Sequence, residues 1–376
     1  MIEGWKHARP VISIDGIFLK ESYNGVLLIA MGFDSNNQQY PLASGLVDKE
    51  TTSNWSWFLC HLRRYVCRER MGVCIISDLH VGILEAMRKE INGFTSDMGI
   101  HHFCLLHFRS NFSSAHPGAH LKLLCWLAGN TSQVRKFEIV MKKIKDLSSI
   151  AEEWLRNIPL EMWTMYHDGG YRYGQATTNM VETYNGQLRS AHHLPVTSMV
   201  EYTYYRNVKL VAEGRTQTLN DLQNGHVYCK NSRELFQKIE EKIEEKASTH
   251  KIIPYNQERW VFKVKPARYK TDKGFWKGGN KHHIDLSKGN RSCGKLHMYH
   301  SPCSHIVVAC MTSNNWERYG MLVPNEDWRK KKKKKHSKGQ SQIIRTEMDN
   351  SQTSKICRKC GKGHTRRSAR CPQKDL

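Results

Sequence analysis

The sequence predicts an α/β protein on three observations: short apolar runs recur through the first hundred residues, a helical period interrupts them, and carboxylates close two of the runs. With 376 residues and 39% hydrophobic side chains, the chain has room for two or three domains and a sizeable core.

Pro10–Asp15 is an apolar strand ending in a carboxylate, and Val26–Met31 is a buried-strand run followed by the turn-rich Asp34–Asn37. Gln39–Val47 gives a third strand. Trp55, Phe58, Leu59, Leu62 and Val66 then fall at i, i+3, i+4, i+7 and i+11, one face of a helix capped near Ser53. Val73–Asp78 is a fourth strand, again closed by a carboxylate. Residues 82–91 are helical in pattern, and Ile100–Leu105 gives a fifth strand. Beyond Pro117 the pattern turns helical: Val134, Phe137, Met141, Ile144 and Leu147 share one face, Ala151–Asn157 forms a further helix, and another starts at Thr178 or Asn179. Residues 234–247 read as a solvated packing helix without function, and Trp260–Val264 alternates as a strand. There are no internal repeats.

The net charge is +23, and the stretch from Arg329 to Leu376 holds 17 basic against 3 acidic side chains, so a mildly basic body carries a strongly basic tail. That distribution suits a polyanion, most simply nucleic acid. No apolar run approaches a membrane span, and Met1–His7 lacks the pattern of a signal peptide. The twelve cysteines are therefore expected in a reducing compartment, where metal ligation is favoured over disulfides. The expected location is the nucleus.

Asp15 and Asp78 close apolar strands that are both expected to be central. Two carboxylates side by side repel unless a cation neutralises them, and Mg²⁺ takes oxygen ligands while keeping several waters. Glu182, at the start of the helix beginning at Thr178 or Asn179, can reach a sheet edge if that helix packs across it. Each residue also has a plainer reading. A strand-end Asp serves equally as a turn or cap residue, Gly16 permits an ordinary turn after Asp15, and Asn179 with Glu182 spells a capping box.

Five ordered motifs are similar to the catalytic region of plant Mutator-like (MULE) transposases: Val11–Lys20, Tyr40–Glu50, Ile76–Gly82, His102–His107 and Thr178–Asn185. The similarity runs from about residue 10 to 215 and resumes near 280. It implies a ribonuclease-H-like fold with a DDE triad at Asp15, Asp78 and Glu182, interrupted by a helical insertion. It also implies phosphodiester hydrolysis and strand transfer with Mg²⁺ or Mn²⁺, acting on transposon ends and target DNA, with a homo-oligomer as the expected working form. Cys104 and His107 match a further signature of the family; two residues cannot close a tetrahedral zinc site, and a buried Cys with a hydrogen-bonded His is the structural alternative. Leu79 stands where the family commonly has Arg.

Around Cys293, Cys303 and His305 the chain resembles the SWIM zinc module, C-x-C then C-x-H. Arg291 occupies the place of the first cysteine, leaving three ligands, with His297 or His300 as substitutes. Cys357, Cys360, His364 and Cys371 resemble a CCHC zinc knuckle with one short and one long gap. No aromatic lies between Cys357 and Cys371, so phosphate contact by Arg358, Lys359, Lys362, Arg366, Arg367 and Arg370 is expected in place of base stacking. The run Lys330, Lys331, Lys332, Lys333, Lys334 and Lys335 reads as a nuclear localisation signal, a DNA tether or a solvated linker.

The expected organisation is thus an RNase-H-like first part at 1–117, a helical insertion at 118–176, a core helix region with Glu182 at 177–215 and a mixed connector at 216–280. A degenerate SWIM-type module at 281–315, a basic disordered linker at 316–354 and a CCHC-like knuckle at 355–376 follow. Active relatives carry an N-terminal DNA-binding region ahead of the first Asp, whereas here Met1 lies fourteen residues before Asp15; the expectation is a truncated or non-autonomous transposase. The alternatives are a catalytically silent, transposase-derived nuclear DNA-binding regulator, and an RNA-binding protein led by its knuckle.

Overall fold

The computed structural model describes residues 2–19, 24–34, 36–191, 193–226, parts of 229–313, and the short pieces 355–356 and 363–364. In chain order the first elements are α1 (Ile2–Trp5), β1 (Val11–Phe18), β2 (Val26–Phe33), β3 (Gln39–Val47), α2 (Thr52–His61), β4 (Val73–Ser77), α3 (Val81–Arg88) and β5 (Gly99–Phe103). Helices α4 (Leu105–Ala115), α5 (Ala119–Gly129), α6 (Val134–Leu147), α7 (Ser149–Arg156), α8 (Leu160–Trp163), α9 (Asn179–Leu188) and α10 (Val196–Gln223) follow.

The first three strands form an antiparallel meander, and β4 and β5 lie parallel beside β1, giving the order β3-β2-β1-β4-β5. Every residue of β2 is buried, as expected of a strand covered on both faces. Alternation divides the sheet. Ile12, Ile14, Leu28 and Ala30 face Trp55, Phe58 and Leu59 of α2 and Ile83 of α3. Ile17, Leu27, Ile29 and Met31 face Val181, Tyr184 and Leu188 of α9. Helix α9 thus lies across the sheet face opposite α2 and α3.

The strand expectations hold to within a few residues, with one consequential correction. Asp15 does not close β1: the strand runs on to Phe18, and Asp15 pairs with Ile29 of β2. Gly16 is no turn, because β2 continues to pair with β1 as far as Phe18. The helix expected near Ser53 starts at Thr52, with the Thr51 hydroxyl accepting from Asn54 N at 3.2 Å.

The stretch 118–176 is helical only as far as Trp163. Before it comes α4, which the sequence reading did not anticipate. Its Phe108 and Phe112 join Phe137, Met141, Ile144 and Leu155 in a separate apolar core, where the Phe108 ring stacks on Trp163 at a centroid distance of 4.9 Å. From Thr164 to Thr178 the chain has no helix. A wholly buried ion pair fastens this stretch: Arg172 Nε donates to Asp168 Oδ2 at 3.1 Å, and Arg172 Nη2 also donates to the Thr164 carbonyl. Removing one partner of such a pair strands a buried charge, whereas replacing both by apolar groups is often nearly neutral.

A second sheet, ordered β11-β10-β7-β6, is built from β6 (His250–Asn256), β7 (Val261–Pro266), β10 (His282–Asp285) and β11 (Asn290–Arg291), while β8 (Tyr269–Lys270) pairs with β9 (Trp276–Lys277). Helix α11 (Ser304–Ser313) buries Ile306, Ala309 and Cys310 in the same small core as Phe262, Val264 and Ile284. The connector at 216–280 therefore holds the end of α10 and four strands; the packing helix expected at 234–247 falls largely outside the described residues. Among the described residues no helix is long and apolar enough to cross a membrane.

Candidate active site

The parallel pairing of β1 with β4 matches Val11 to Cys74, Ile12 to Ile75 and Ser13 to Ile76. Carried two residues further, that register sets Asp15 beside Asp78, which directly follows β4. Alternation also settles the face. Val11, Cys74, Ile76 and Cys104 form one buried cluster with Met180, so Asp15 shares its side of β1 with Val11 and Ile17, toward α9.

Both carboxylates are held by backbone amides. Gly16 N donates to Asp15 Oδ1 at 2.9 Å, and His80 N donates to Asp78 Oδ1 at 3.0 Å. Burial raises the Asp15 carboxyl to about 7, and the neighbouring charge of Asp78 adds to the rise. The Gly16 amide and His107 pull the other way without cancelling it. Asp15 thus sits where a carboxylate needs a cation.

Glu182 projects from α9, whose start is tied to the sheet. Gln39 Nε2 of β3 donates to the Met180 carbonyl at 3.2 Å, and Thr178, just before α9, is tied to the sheet through Cys104. The capping box does not form: Asn179 is the first helical residue, no side chain caps the helix, and Glu182 Oε1 instead lies 3.9 Å from His107 Nε2.

Cys104 forms the bridge between the sheet and the start of α9. Cys104 N donates to the Ser77 carbonyl at 2.6 Å, and its Sγ accepts from Thr178 N at 3.3 Å and from Thr178 Oγ1 at 3.2 Å. Burial works to raise this thiol, but hydrogen bonds from His107 and Thr178 outweigh it and bring it below its ordinary value. Pairing with Cys104 lifts His107 to about 9 against the opposing effect of burial, and the charges of Asp15 and Asp78 add to the lift. His107, raised in this way beside Asp15 and Asp78, presents its Nε2 to Glu182.

A fourth carboxylate was not found by sequence reasoning. The Glu50 side chain is only 9% exposed; its Oε1 accepts from Trp55 Nε1 at 3.2 Å and lies 3.8 Å from His80 Nδ1. Burial raises this carboxyl, and the charge of Asp78 raises it further against the pull of His80. Gly16 makes room for it, since a Cβ there would meet Glu50 Oε1 at 3.1 Å. The available signal was an acidic residue just ahead of a helix start, which reads as a solvated helix end.

The donor set of Asp15, Asp78 and Glu182 is all hard oxygen and suits Mg²⁺. As they stand, no three His, Cys, Asp or Glu side chains among the described residues are placed to hold a metal ion. Asp15 and Asp78 are adjacent, whereas Glu182 faces His107.

The downstream candidates divide by position. Cys303 Sγ lies 3.6 Å from His305 Nδ1. Cys293 lies outside the described residues, as do Lys330–Lys335, Cys357, Cys360, Cys371, Arg358, Lys359, Lys362, Arg366, Arg367 and Arg370. His364 falls in a two-residue strand paired with Lys355–Ile356.

Residues 11–106 match the family model of the MULE transposase domain, a span running from β1 into the start of α4 and including Asp15, Glu50, Asp78 and Cys104. The match supports a Mutator-like transposase in general terms and suggests DNA as the partner. No curated protein matches the chain.

Proposed function

We propose that the protein is the catalytic core of a Mutator-like DDE transposase, cutting and joining DNA in the nucleus with Asp15, Asp78 and Glu182. The observation that carries this reading is the β1–β4 register, which puts Asp15 beside Asp78 at a point where burial and mutual repulsion call for a cation. The strand order, with three antiparallel strands followed by two parallel ones, is compatible with a ribonuclease-H-like sheet, and α9 brings a third carboxylate across it.

Asp15 and Asp78 would hold Mg²⁺, with Glu182 joining them after leaving His107. Bound there, the ion supplies Lewis-acid activation of an attacking oxygen and charge stabilisation of a leaving one. The Gly16 and His80 amides orient the two aspartates. His107, one turn of α4 beyond Cys104, would set where Glu182 waits. The basic tail would contribute sequence-independent phosphate contacts, and zinc is proposed both for the knuckle at Cys357, Cys360, His364 and Cys371 and for the Cys303–His305 pair.

Strand transfer of a pre-cleaved DNA end into plasmid, with Mg²⁺ or Mn²⁺, tests the reading. Joining that Asp78→Asn and Glu182→Gln both abolish supports it; joining that survives either substitution refutes the triad. The second reading, a catalytically silent transposase-derived DNA-binding regulator, is favoured by the engagement of Glu182 with His107. DNA binding by folded protein without any joining would select it.

A further inference from the structure

Arg291 stands where the zinc module that this region resembles has its first cysteine, so the Cys303–His305 pair lacks a full ligand set from that pattern. The second sheet supplies replacements. In β7 the pairings Val264 with Ile252 of β6 and Val264 with His282 of β10 put the three side chains in one cross-strand row. Val264 is buried beneath α11, so His282 lies on the same face. His250, two residues before Ile252 and paired with Pro266, shares that face as well.

Both rings accordingly meet the start of α11. The His282 ring centroid is 4.4 Å from that of His305, and the His250 centroid is 5.2 Å from it. His250 Nε2 also bonds with Ser304 Oγ at 3.2 Å, the kind of contact that fixes the tautomer of a metal-bound imidazole. The 3.6 Å from Cys303 Sγ to His305 Nδ1 is informative. Tetrahedral zinc, with bonds of about 2.3 Å to sulfur and about 2.0–2.1 Å to nitrogen, sets those two donors about 3.5–3.6 Å apart.

We propose that Cys303, His305, His282 and His250 form a Cys-His₃ structural zinc site, in which two sheet histidines take the places of both cysteines of the C-x-C half, the one lost at Arg291 and Cys293. This rests on the zinc reading of the Cys303–His305 pair but assigns two ligands that the resemblance does not supply. The rings now lie tilted to one another at interplanar angles of 45° and 32°, and the four side chains do not converge on one point, so binding requires them to turn about their side-chain torsions. A zinc ion held there would staple β6, β10 and α11 around a small core.

The test uses the full chain carrying Cys357→Ser and Cys360→Ser, which removes zinc binding by the knuckle. Zinc content and competition with a chromophoric chelator are measured for this background and for further single substitutions. His282→Ala and His250→Ala are each expected to weaken zinc by at least about tenfold, and Cys293→Ser to leave it unchanged. Co²⁺ substitution is expected to give a tetrahedral spectrum with charge transfer from a single thiolate. His282→Cys guards against a folding artefact: it should restore tight binding and add a second thiolate band.

Wild-type zinc affinity in either histidine variant overturns the ligand set, as does loss of zinc in Cys293→Ser. Absence of zinc from the background protein itself, or its indifference to Cys303→Ser, defeats the underlying Cys303–His305 reading instead. Helical circular dichroism of each variant separates lost metal from lost fold.

Discussion

His107 Nε2 lies 3.9 Å from Glu182 Oε1, and that contact joins one helix to another, the second bearing the third carboxylate. His107 belongs to α4 and Glu182 to α9, elements separated in the chain by the whole helical insertion. On the proposed reading, the His107 imidazole sits where a divalent cation would compete for Glu182. His107→Ala should therefore free Glu182 and strengthen Mg²⁺ binding while weakening strand transfer, because Glu182 loses its fixed position. Calorimetric Mg²⁺ titration beside the joining assay reads both effects; a parallel fall in both would contradict the competition.

The same ring predicts a pH dependence. Its folded-state value of about 9 stands above the ordinary 6.5, so its contribution to stability is complete below about 6.5 and is lost as pH rises through 9. Thermal melts from pH 6.5 to 9.5 should show a decline in Tm that His107→Ala flattens. An undiminished slope in the variant would assign the titration to another group.

Asp15 carries the opposite liability. Its carboxyl is raised from 3.8 to about 7, so the metal-free fold binds the extra proton, and stability attached to this group falls as pH rises from about 4 to 7. Mg²⁺ should reverse the loss by binding the ionised form. Its stabilising effect is thus expected to be small at pH 6, larger at pH 8, and absent in Asp15→Asn.

Glu50→Gln isolates the fourth carboxylate. The amide oxygen can still accept from Trp55 Nε1, but the negative charge beside Asp15 and Asp78 is gone. The midpoint of the Mg²⁺ effect should move to lower pH, with Tm unchanged or slightly higher. A large drop in Tm would mean that the ionised Glu50–His80 contact holds the turn before α2.

Core predictions test the scaffold. Asp168→Asn leaves Arg172 buried without its counter-charge and should cost about 3–5 kcal/mol, whereas replacing both by apolar residues of similar size should cost far less. Trp163→Ala, which removes the ring stacked on Phe108, should cost about 3–5 kcal/mol. Chemical denaturation with a double-mutant comparison provides both figures.

The strands and α6 were legible because their burial follows simple periods of two and about 3.6 residues. Helix α4 was not, since it follows β5 at once and Cys104 occupies its cap position without the usual Ser, Thr, Asp or Asn side chain. Asp15 was found, but its place inside β1 was misread because Gly16 resembles a turn and only the pairing with β2 shows that the strand continues. The proximity of Glu50 to Asp78 leaves no periodic mark; it arises from the link between β3 and α2 folding against Gly16. The environment of Glu182 was equally hidden, because its partner is chosen by how α9 lies on the sheet.

Glu182 follows Asp78 by 104 residues. A ribosome adding about 5–20 residues per second needs roughly 5–20 s to cover that distance. During that interval the sheet and its paired aspartates can already exist on the emerging chain while the third carboxylate does not. The insertion then acts as a delay in biosynthesis, and an incomplete product ending before α9 would carry the two aspartates without the third carboxylate that the proposed chemistry requires.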